Sequence, residues 1–460
     1  MSKSEYEIDQ EVEFNINELF VSKTDKKGLI KFGNQVFSRI SGYSNEELVG
    51  RPHNIVRHSD MPKSVFKLLW DTIKTDQPIA AYVKNKAQNG AYYWVLATVI
   101  PVEEGFFSIR LKPSSSIFEQ IPGLYKEMLS LEKNKGLAEA QEFLNKTLLE
   151  RGFKNYNDFM ATALNAELLS RSQQLCELSS INRLSYDSQL NSFKQLKEQV
   201  EITTEVMSRN NKLIDSLGRL RGQLGLKVDK LISLSFKMNP IATNMSISAH
   251  RIGREGSTLA VVAGQMQTNL KSISTLIDTF RKLSIEVEKE SSLISFGLSA
   301  SQLQAEMISQ FLIEVSQLKK NDIDSSVQQV EELFKTLIGL FSINTLKMDE
   351  FNKKVNKISM ISREFSDRIT KLSLIYSGGR LESSRSLEIA NKFKPFLIEF
   401  NLMTAELEKP SEALNTQLEE LVQLTESAFR NSQKTEFALN EGLRVLSYQT
   451  KASKGLAYVS

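Results

Sequence analysis

The stretch NMSISAHRIGREGSTLAVVA, residues 244–263, lies between two long runs of helical periodicity. Upstream, Leu213, Leu217, Leu220, Leu224, Val228, Leu231, Leu234 and Met238 step by three or four residues. Downstream, Met266, Leu270, Ile273, Ile277, Phe280 and Val287 do the same. That spacing is the seam of a coiled coil or bundle. Gly253 and Gly256 stand where a tight reversal needs positive backbone dihedrals. Ala249, Ala260 and Ala263 leave room for two helices to approach. The residues therefore predict a helical hairpin with its tip at 244–263. Counted from Asp158, its first arm spans ~90 residues, or ~135 Å at 1.5 Å per residue. A compact bundle fits the same periodicity.

Composition narrows the function classes. The chain has 460 residues, a net charge of +3 and one cysteine. Balanced acids and bases leave no electrostatic footprint for nucleic acid. Cys176 alone can make no internal disulfide, which fits a reducing compartment. The most apolar run, Leu337 to Ile343, is interrupted by Gly339 and Ser342 and falls short of a membrane span. The N-terminus MSKSEYEIDQE is acidic and polar, unlike a signal peptide. A cytoplasmic protein without a membrane span is expected.

Five of the nine prolines and both tryptophans fall in the first 115 residues. There, Leu19 to Asp25 alternates apolar and polar, meets a Lys-Lys-Gly turn, and continues at Leu29-Ile-Lys-Phe. Asn34 is placed to cap a helix carrying Val36, Phe37 and Ile40. Asn89-Gly90 separates two strand-like runs, and Phe106 to Leu111 reads as a last strand. The expected architecture is an α+β domain over residues 5–115, an antiparallel sheet with helices on one face, followed by a long all-α coiled-coil or helical-bundle region. That region divides into a connector (116–157), a hairpin (158–319) and further helices (320–460). A break between those last helices is expected at Ser377-Gly-Gly-Arg380. Gly218, Gly222 and Gly225 share a face, which marks a flexible segment or a close helix contact.

Asn34-Gln-Val-Phe, Gly42-Tyr43 and Glu46-Glu-Leu-x-Gly50, in this element order, resemble the PAS sensor fold. A narrower match follows in Pro52-His-Asn-Ile-Val-Arg57-His58-Ser-Asp60-Met-Pro62, Trp70, Val83-Lys84-Asn85 and Tyr93-Trp94-Val95. These resemble the flavin-binding PAS domain of aerotaxis receptors over roughly residues 18–112. The resemblance implies non-covalently bound FAD, with Arg57, His58 and Asp60 tied to binding and Asn34, Trp70 and Asn85 as further carry-overs. The chemistry is consistent: an arginine fork suits phosphate or ring oxygens, a histidine answers a proton, and an indole walls an aromatic ring. Taken singly, Arg57-x-x-Asp60 reads equally as an ion pair, His58 as a surface histidine and Trp70 as core. Haem is the alternative ligand, with His53 or His58 on iron.

The tip resembles the kinase-contacting hairpin of the methyl-accepting chemoreceptor family through Asn244, Ile247, Ala249, Arg251, Gly253, Gly256, Ala260, Val261, Val262 and Ala263. Phe236 and Asn239 also match. The resemblance implies a homodimer or higher oligomer through the hairpin, and contact with the chemotaxis histidine kinase CheA and its coupling protein CheW. Phe236, Asn239, Asn244, Ile247, Arg251, Arg254 and Val261 are the expected contact residues. The tip departs from the family at Ser248, Arg254, Ser257 and Pro240. The Arg254 reversal alters a charge-matched contact by two units. Ser172-Gln173-Gln174 is the one segment suggestive of an adaptation site.

The function implied is a redox or oxygen (energy) taxis sensor. The alternative is a PAS-helical scaffold that no longer controls CheA. No catalytic constellation or metal cluster is visible: His250 is the only histidine outside the sensor domain, and no phosphate-binding glycine loop occurs. An enzyme is not expected.

Overall fold

The computed structural model describes residues 7–179, 209–316 and 323–456, with five positions between 201 and 206. Its contacts divide into two compact units. One holds Met1–Arg209, Ser292–Asn344 and Asn431–Ser460; the other holds Asn210–Ser291 and Thr345–Arg430.

The first unit is built on an antiparallel sheet of β1 (Phe20–Asp25), β2 (Ile30–Gly33), β3 (Ile79–Lys86), β4 (Tyr92–Val102) and β5 (Gly105–Leu111). The spatial order is β2-β1-β5-β4-β3, so β5 pairs with the first strand and β3 is an edge. The Asp25 carboxylate accepts from the backbone N–H of Lys27 and Leu29, both at 2.9 Å, and fixes the first turn. Helices α1 (Gln35–Ser41), α2 (Asn45–Leu48) and α3 (Lys63–Ile73) and a 3₁₀ turn at His53–Val56 connect β2 to β3. Asn34 caps α1, and Ser44 with Glu47 forms a capping box on α2. Helix α3 lacks a local cap. Its first N–H groups, on Lys63 and Ser64, donate to Glu132 at 2.9 and 2.7 Å.

Glu132 belongs to α4 (Ile121–Asn134), which is followed by α5 (Leu137–Glu150) and α6 (Tyr156–Ser179). The face of the sheet carrying Tyr82 and Trp94 is covered by Phe118, Tyr125 and Phe159, with ring centroids 5.4–6.4 Å apart. The connector is therefore two helices packed on the N-terminal domain. The core is continuous with Phe296, Leu303, Met307, Phe334 and Leu337 of the long helices. Part of the expected first arm, residues 180–200, lies outside the described residues.

The second unit is all-helical. It contains α7 (Asn211–Ile252), α8 (Ser257–Ser316) up to Ser291, α9 (Ile323–Ser383) from Thr345, and α10 (Leu387–Leu456) to Arg430. The predicted seams are its core: Leu217, Leu231, Met238, Leu270, Ile273 and Val287 are buried. They meet Phe351, Val355, Ile358, Phe365, Phe393, Phe400 and Leu414, which are also buried.

Three expectations are corrected here. Of the two tip glycines, only Gly253 has a positive φ, 76°. Gly256 serves close approach instead, since a Cβ there would lie 2.2 Å from the Ala249 carbonyl oxygen. The break at Ser377-Gly-Gly-Arg380 does not occur; α9 runs through it to Ser383. A Cβ on Gly379 would meet Val262 at 3.0 Å and Leu397 at 3.3 Å, so packing overrides the poor intrinsic helix propensity of glycine. Gly218 and Gly225 are exposed, which disfavours a close helix contact there.

Candidate cofactor site and hairpin tip

The sheet register places a polar diagonal on the face that α1 and the His53 turn cover. Phe20 and Ala97 are paired with Arg110, Ser22 and Val99 with Ser108, and Asn85 with Tyr93. Directly paired residues point the same way and the side chains alternate, so Ser22, Arg110, Ser108, Tyr93 and Asn85 share this inner face. All five are buried. Arg110 forms no carboxylate ion pair among the described residues. It donates to Ser22 Oγ at 3.1 Å and from Nη2 to His53 Nε2 at 2.6 Å. Phe37 stacks on the His53 ring at 5.9 Å and lies 5.4 Å from the guanidinium carbon. Burial, with the nearby Arg110 charge, pushes His53 down to about 3; it is neutral and accepts at Nε2. Burial lowers Arg110 to about 10, so it keeps its charge at neutral pH. Among the described residues, three polar atoms on this face have no hydrogen-bond partner: Tyr93 OH, Asn85 Nδ2 and Ser108 Oγ. Burial holds the Tyr93 phenol protonated, well above its usual range.

The sequence-derived residues separate into three places. Asn34 is buried and fully engaged: Oδ1 accepts from Val21 N at 3.0 Å and Phe37 N at 3.1 Å, and Nδ2 donates to Leu19 O at 3.0 Å. It locks α1 onto β1. Trp70 is half-buried, edge-on to Phe106 at 5.6 Å and against the Gly28 turn. Arg57, His58, Asp60 and Asn85 converge at the free edge of β3, where the Arg57 backbone bridges to Asn85.

That convergence is divided between the two faces. Lys84 and Tyr92 alternate with Asn85 and Tyr93, and hence point to the outer face. Lys84 Nζ donates to Asp60 at 2.6 Å and sits 4.2 Å over the Tyr92 ring, with His58 edge-on to Tyr92 at 6.1 Å. His58 Nδ1 accepts from Asp60 N at 3.1 Å. Burial and the Lys84 charge lower His58, against the pull of Glu7 and Asp60. Burial opposes the lowering of Asp60, but the Lys84 bond and charge prevail. His58, Asp60 and Lys84 thus form a clasp that holds the 57–62 segment on β3. Arg57 donates to Met61 O at 3.2 Å and stacks 4.2 Å over Phe66. It opens onto a surface groove of about 610 Å³ with Lys63, Lys86, Lys133 and Glu132.

Sequence reading missed Arg110 and Ser108, and named Tyr93 only within the Tyr93-Trp94-Val95 match, without a role. The available signal was an arginine in an otherwise apolar terminal strand, FFSIRL, where buried charge is costly without a partner. His53 was read only as an iron ligand; its Nε2 faces Arg110 and Ser22 instead.

At the tip, Phe236, Ile247 and Val261 are 65%, 47% and 61% exposed, large apolar side chains outside the seam. Phe236 and Ile247 lie about three helical turns apart and share a face of α7. Asn244, Arg251 and Arg254 are exposed, and Asn239 is half-buried. Neither arginine makes an ion pair among the described residues.

Residues 30–106 match the family model for the PAS fold. The N-terminal domain is therefore a PAS domain. Over 155 residues the chain is 35% identical to the aerotaxis receptor of Escherichia coli K12, covering 32% of this chain and 31% of that protein. It is 29% identical over 82 residues to the nitrogen fixation regulatory protein of Klebsiella pneumoniae, covering 18% and 17%. The match thus spans about a third or less of these relatives. Among solved structures, a PAS domain from Colwellia psychrerythraea aligns at 18% identity and TM-score 0.20, covering 20% of this chain and 85% of that one. The LOV domain of the Erythrobacter litoralis EL346 blue-light activated histidine kinase aligns at 17% and 0.19, covering 20% and 90%. No helix among the described residues is long and apolar enough to cross a membrane.

Proposed function

We propose that this chain is a cytoplasmic redox or oxygen taxis sensor whose PAS domain holds FAD non-covalently and whose hairpin tip contacts the chemotaxis kinase complex of CheA and CheW. One observation carries the cofactor assignment. The inner face of the sheet buries an arginine without a carboxylate, beside three unpartnered polar atoms. Buried charge and unpaired donors are costly, and an anionic, acceptor-rich ring satisfies both. The similarity to an aerotaxis receptor supports the flavin over haem, as does the engagement of His53 Nε2 by Arg110 and Ser22.

Flavin supplies a ring whose charge and protonation follow its oxidation state. The chain's own residues then act as follows. Arg110 stabilises negative charge in a low-dielectric site, while Tyr93 OH and Asn85 Nδ2 offer donors. Arg57 and the groove beside it take the pyrophosphate end. The His58–Asp60–Lys84 clasp keeps that rim closed, Asn34 fixes α1, and Trp70 would offer the ring an aromatic wall.

Output leaves through the outer face of the sheet. Glu167 of α6 is fully buried and accepts from Tyr82 OH at 2.8 Å, Ser114 N at 2.6 Å, and Ser115 N and Oγ at 2.9 and 2.7 Å. One turn on, buried Arg171 donates to the carbonyls of Ile16 and Asn17 and pairs with Glu306 at 3.3 Å. These bonds tie β3, the end of β5 and the N-terminal segment to α6 and α8. A shift in the sheet biases their packing.

The absorption spectrum of purified protein tests the assignment: paired blue and near-ultraviolet bands are expected, lost in Arg57→Ala and Asp60→Ala. A Soret band, or colourless protein after reconstitution with FAD, overturns it. The scaffold reading is favoured by the exposed, unpaired Arg254 and by Pro240 inside α7. Capture of CheA and CheW by the full chain separates the two; no capture leaves the scaffold.

A further inference from the structure

We infer that residues 345–430 act as an internal second subunit, closing on the chemoreceptor-like hairpin so that one chain completes a four-helix bundle. Chains that contribute a single hairpin must find the other two helices in a partner copy. Here both come from the same polypeptide.

Three observations carry this. A small cavity of about 10 Å³ in the second unit is lined by Val228 and Leu231 of α7, Ile277 and Phe280 of α8, Phe365 of α9 and Leu414 of α10. All four helices therefore share one core. Polar groups cross between the hairpins as well. Lys227 Nζ donates to Gln417, Asn269 Nδ2 to Arg368 O at 2.7 Å, and Lys354 pairs with Glu290 and Glu286.

The two hairpins also turn at the same level. Gly379 packs against Met245 and Val262, just below the Gly253 turn, and its own hairpin reverses at Ser384–Ser386. The sequence carries a trace of the same register. Gly378-x-x-Leu381-x-Ser383-x-Arg385 echoes Asn244-x-x-Ile247-x-Ala249-x-Arg251, and this alignment sets Gly379 opposite Met245, the residue it touches. The segment therefore stands in for a subunit by both position and pattern.

The four-helix core is filled from within one chain, so a monomeric bundle with one Arg251-bearing tip is expected. The test uses the full chain with Cys176→Ser and the pair Glu290→Cys and Lys354→Cys, treated with a short bis-maleimide. Intramolecular linkage is expected, running as a single chain on denaturing gels, with light scattering giving the mass of one chain. Linked dimers, or a mass of two chains that falls to one when Phe365→Asp disrupts the core, overturn the inference. A dimer that persists in Phe365→Asp, with the intramolecular link still forming in the parent pair, assigns dimerisation elsewhere and upholds the closed bundle.

Discussion

Arg110 is where the sensor domain stores its most expensive side chain. A buried guanidinium held by a serine and a neutral histidine gains little from either, so its retention points to a ligand. Arg110→Met should leave the unliganded fold as stable or more so, because the desolvation cost disappears. Flavin retention should fall at least about tenfold, the equivalent of one charge-assisted hydrogen bond. Equilibrium dialysis and urea titration read the two effects separately; lower stability with unchanged retention would make the arginine structural. His53 gives a pH signature. Its folded pKa, about 3, lies below the unfolded value near 6.5. The unfolded chain therefore binds the proton first, and stability is full above about 6.5. It declines toward about 3 by up to about 1.4 kcal/mol per pH unit. His58, also lowered by burial, adds to the same slope. His53→Gln should flatten it. Both tryptophans lie in the PAS domain, so their fluorescence follows this transition, with Trp94 also reporting its contact with Phe118 and Tyr125. Arg57, His58 and Asp60 were legible as a contiguous motif. Arg110, Ser108 and the role of Tyr93 beside them were not, because strand pairing assembles them and a single strand does not display its neighbours.

At the level of elements, one carboxylate of α6 gathers donors from β3 and the stretch following β5, beside the Tyr156 bond to Ala80 O and the Phe159 contact with Tyr82. Glu167 accepts from donors on β3 and on the segment after β5, all within hydrogen-bond distance and away from water. Glu167→Gln keeps the shape but gives up the charge that two backbone amides and two hydroxyls point toward. A loss of about 2–3 kcal/mol is expected, with faster amide exchange at Ser114, Ser115 and along 156–179. An unchanged exchange pattern would remove Glu167 from the output route. On α7, Gly218 and Gly225 are exposed helical positions. Alanine at each should stabilise the bundle by about 1 kcal/mol; circular-dichroism melts of the single variants check this. The strands, caps and Asn89-Gly90 hairpin were readable because local chemistry dictates them. The continuity of α9 through Gly378-Gly379 was not, because it depends on Val262 and Leu397 packing onto the missing side chain.

For the molecule as a whole, periodicity predicted helices with apolar seams and could not assign their partners. A seam has the same pattern whether it meets another chain or a later segment of its own, so residues 320–460 carried no legible role. The packing of residues 345–430 on α7 and on α8 up to Ser291 supplies one in the closed-bundle inference. Unfolding of a bundle closed within one chain is unimolecular, so its melting temperature should stay constant over a hundredfold range of protein concentration. A rise with concentration would mean that association contributes to its stability.

The tethered bundle frees its two halves from matching one another. In a twofold dimer every substitution is made twice, and each contact must suit its own mirror partner. Here Gly379 faces Met245 at positions the register makes equivalent, a glycine–methionine pairing that two identical hairpins could not encode. One hairpin can keep a recognition surface while its companion changes freely beneath it.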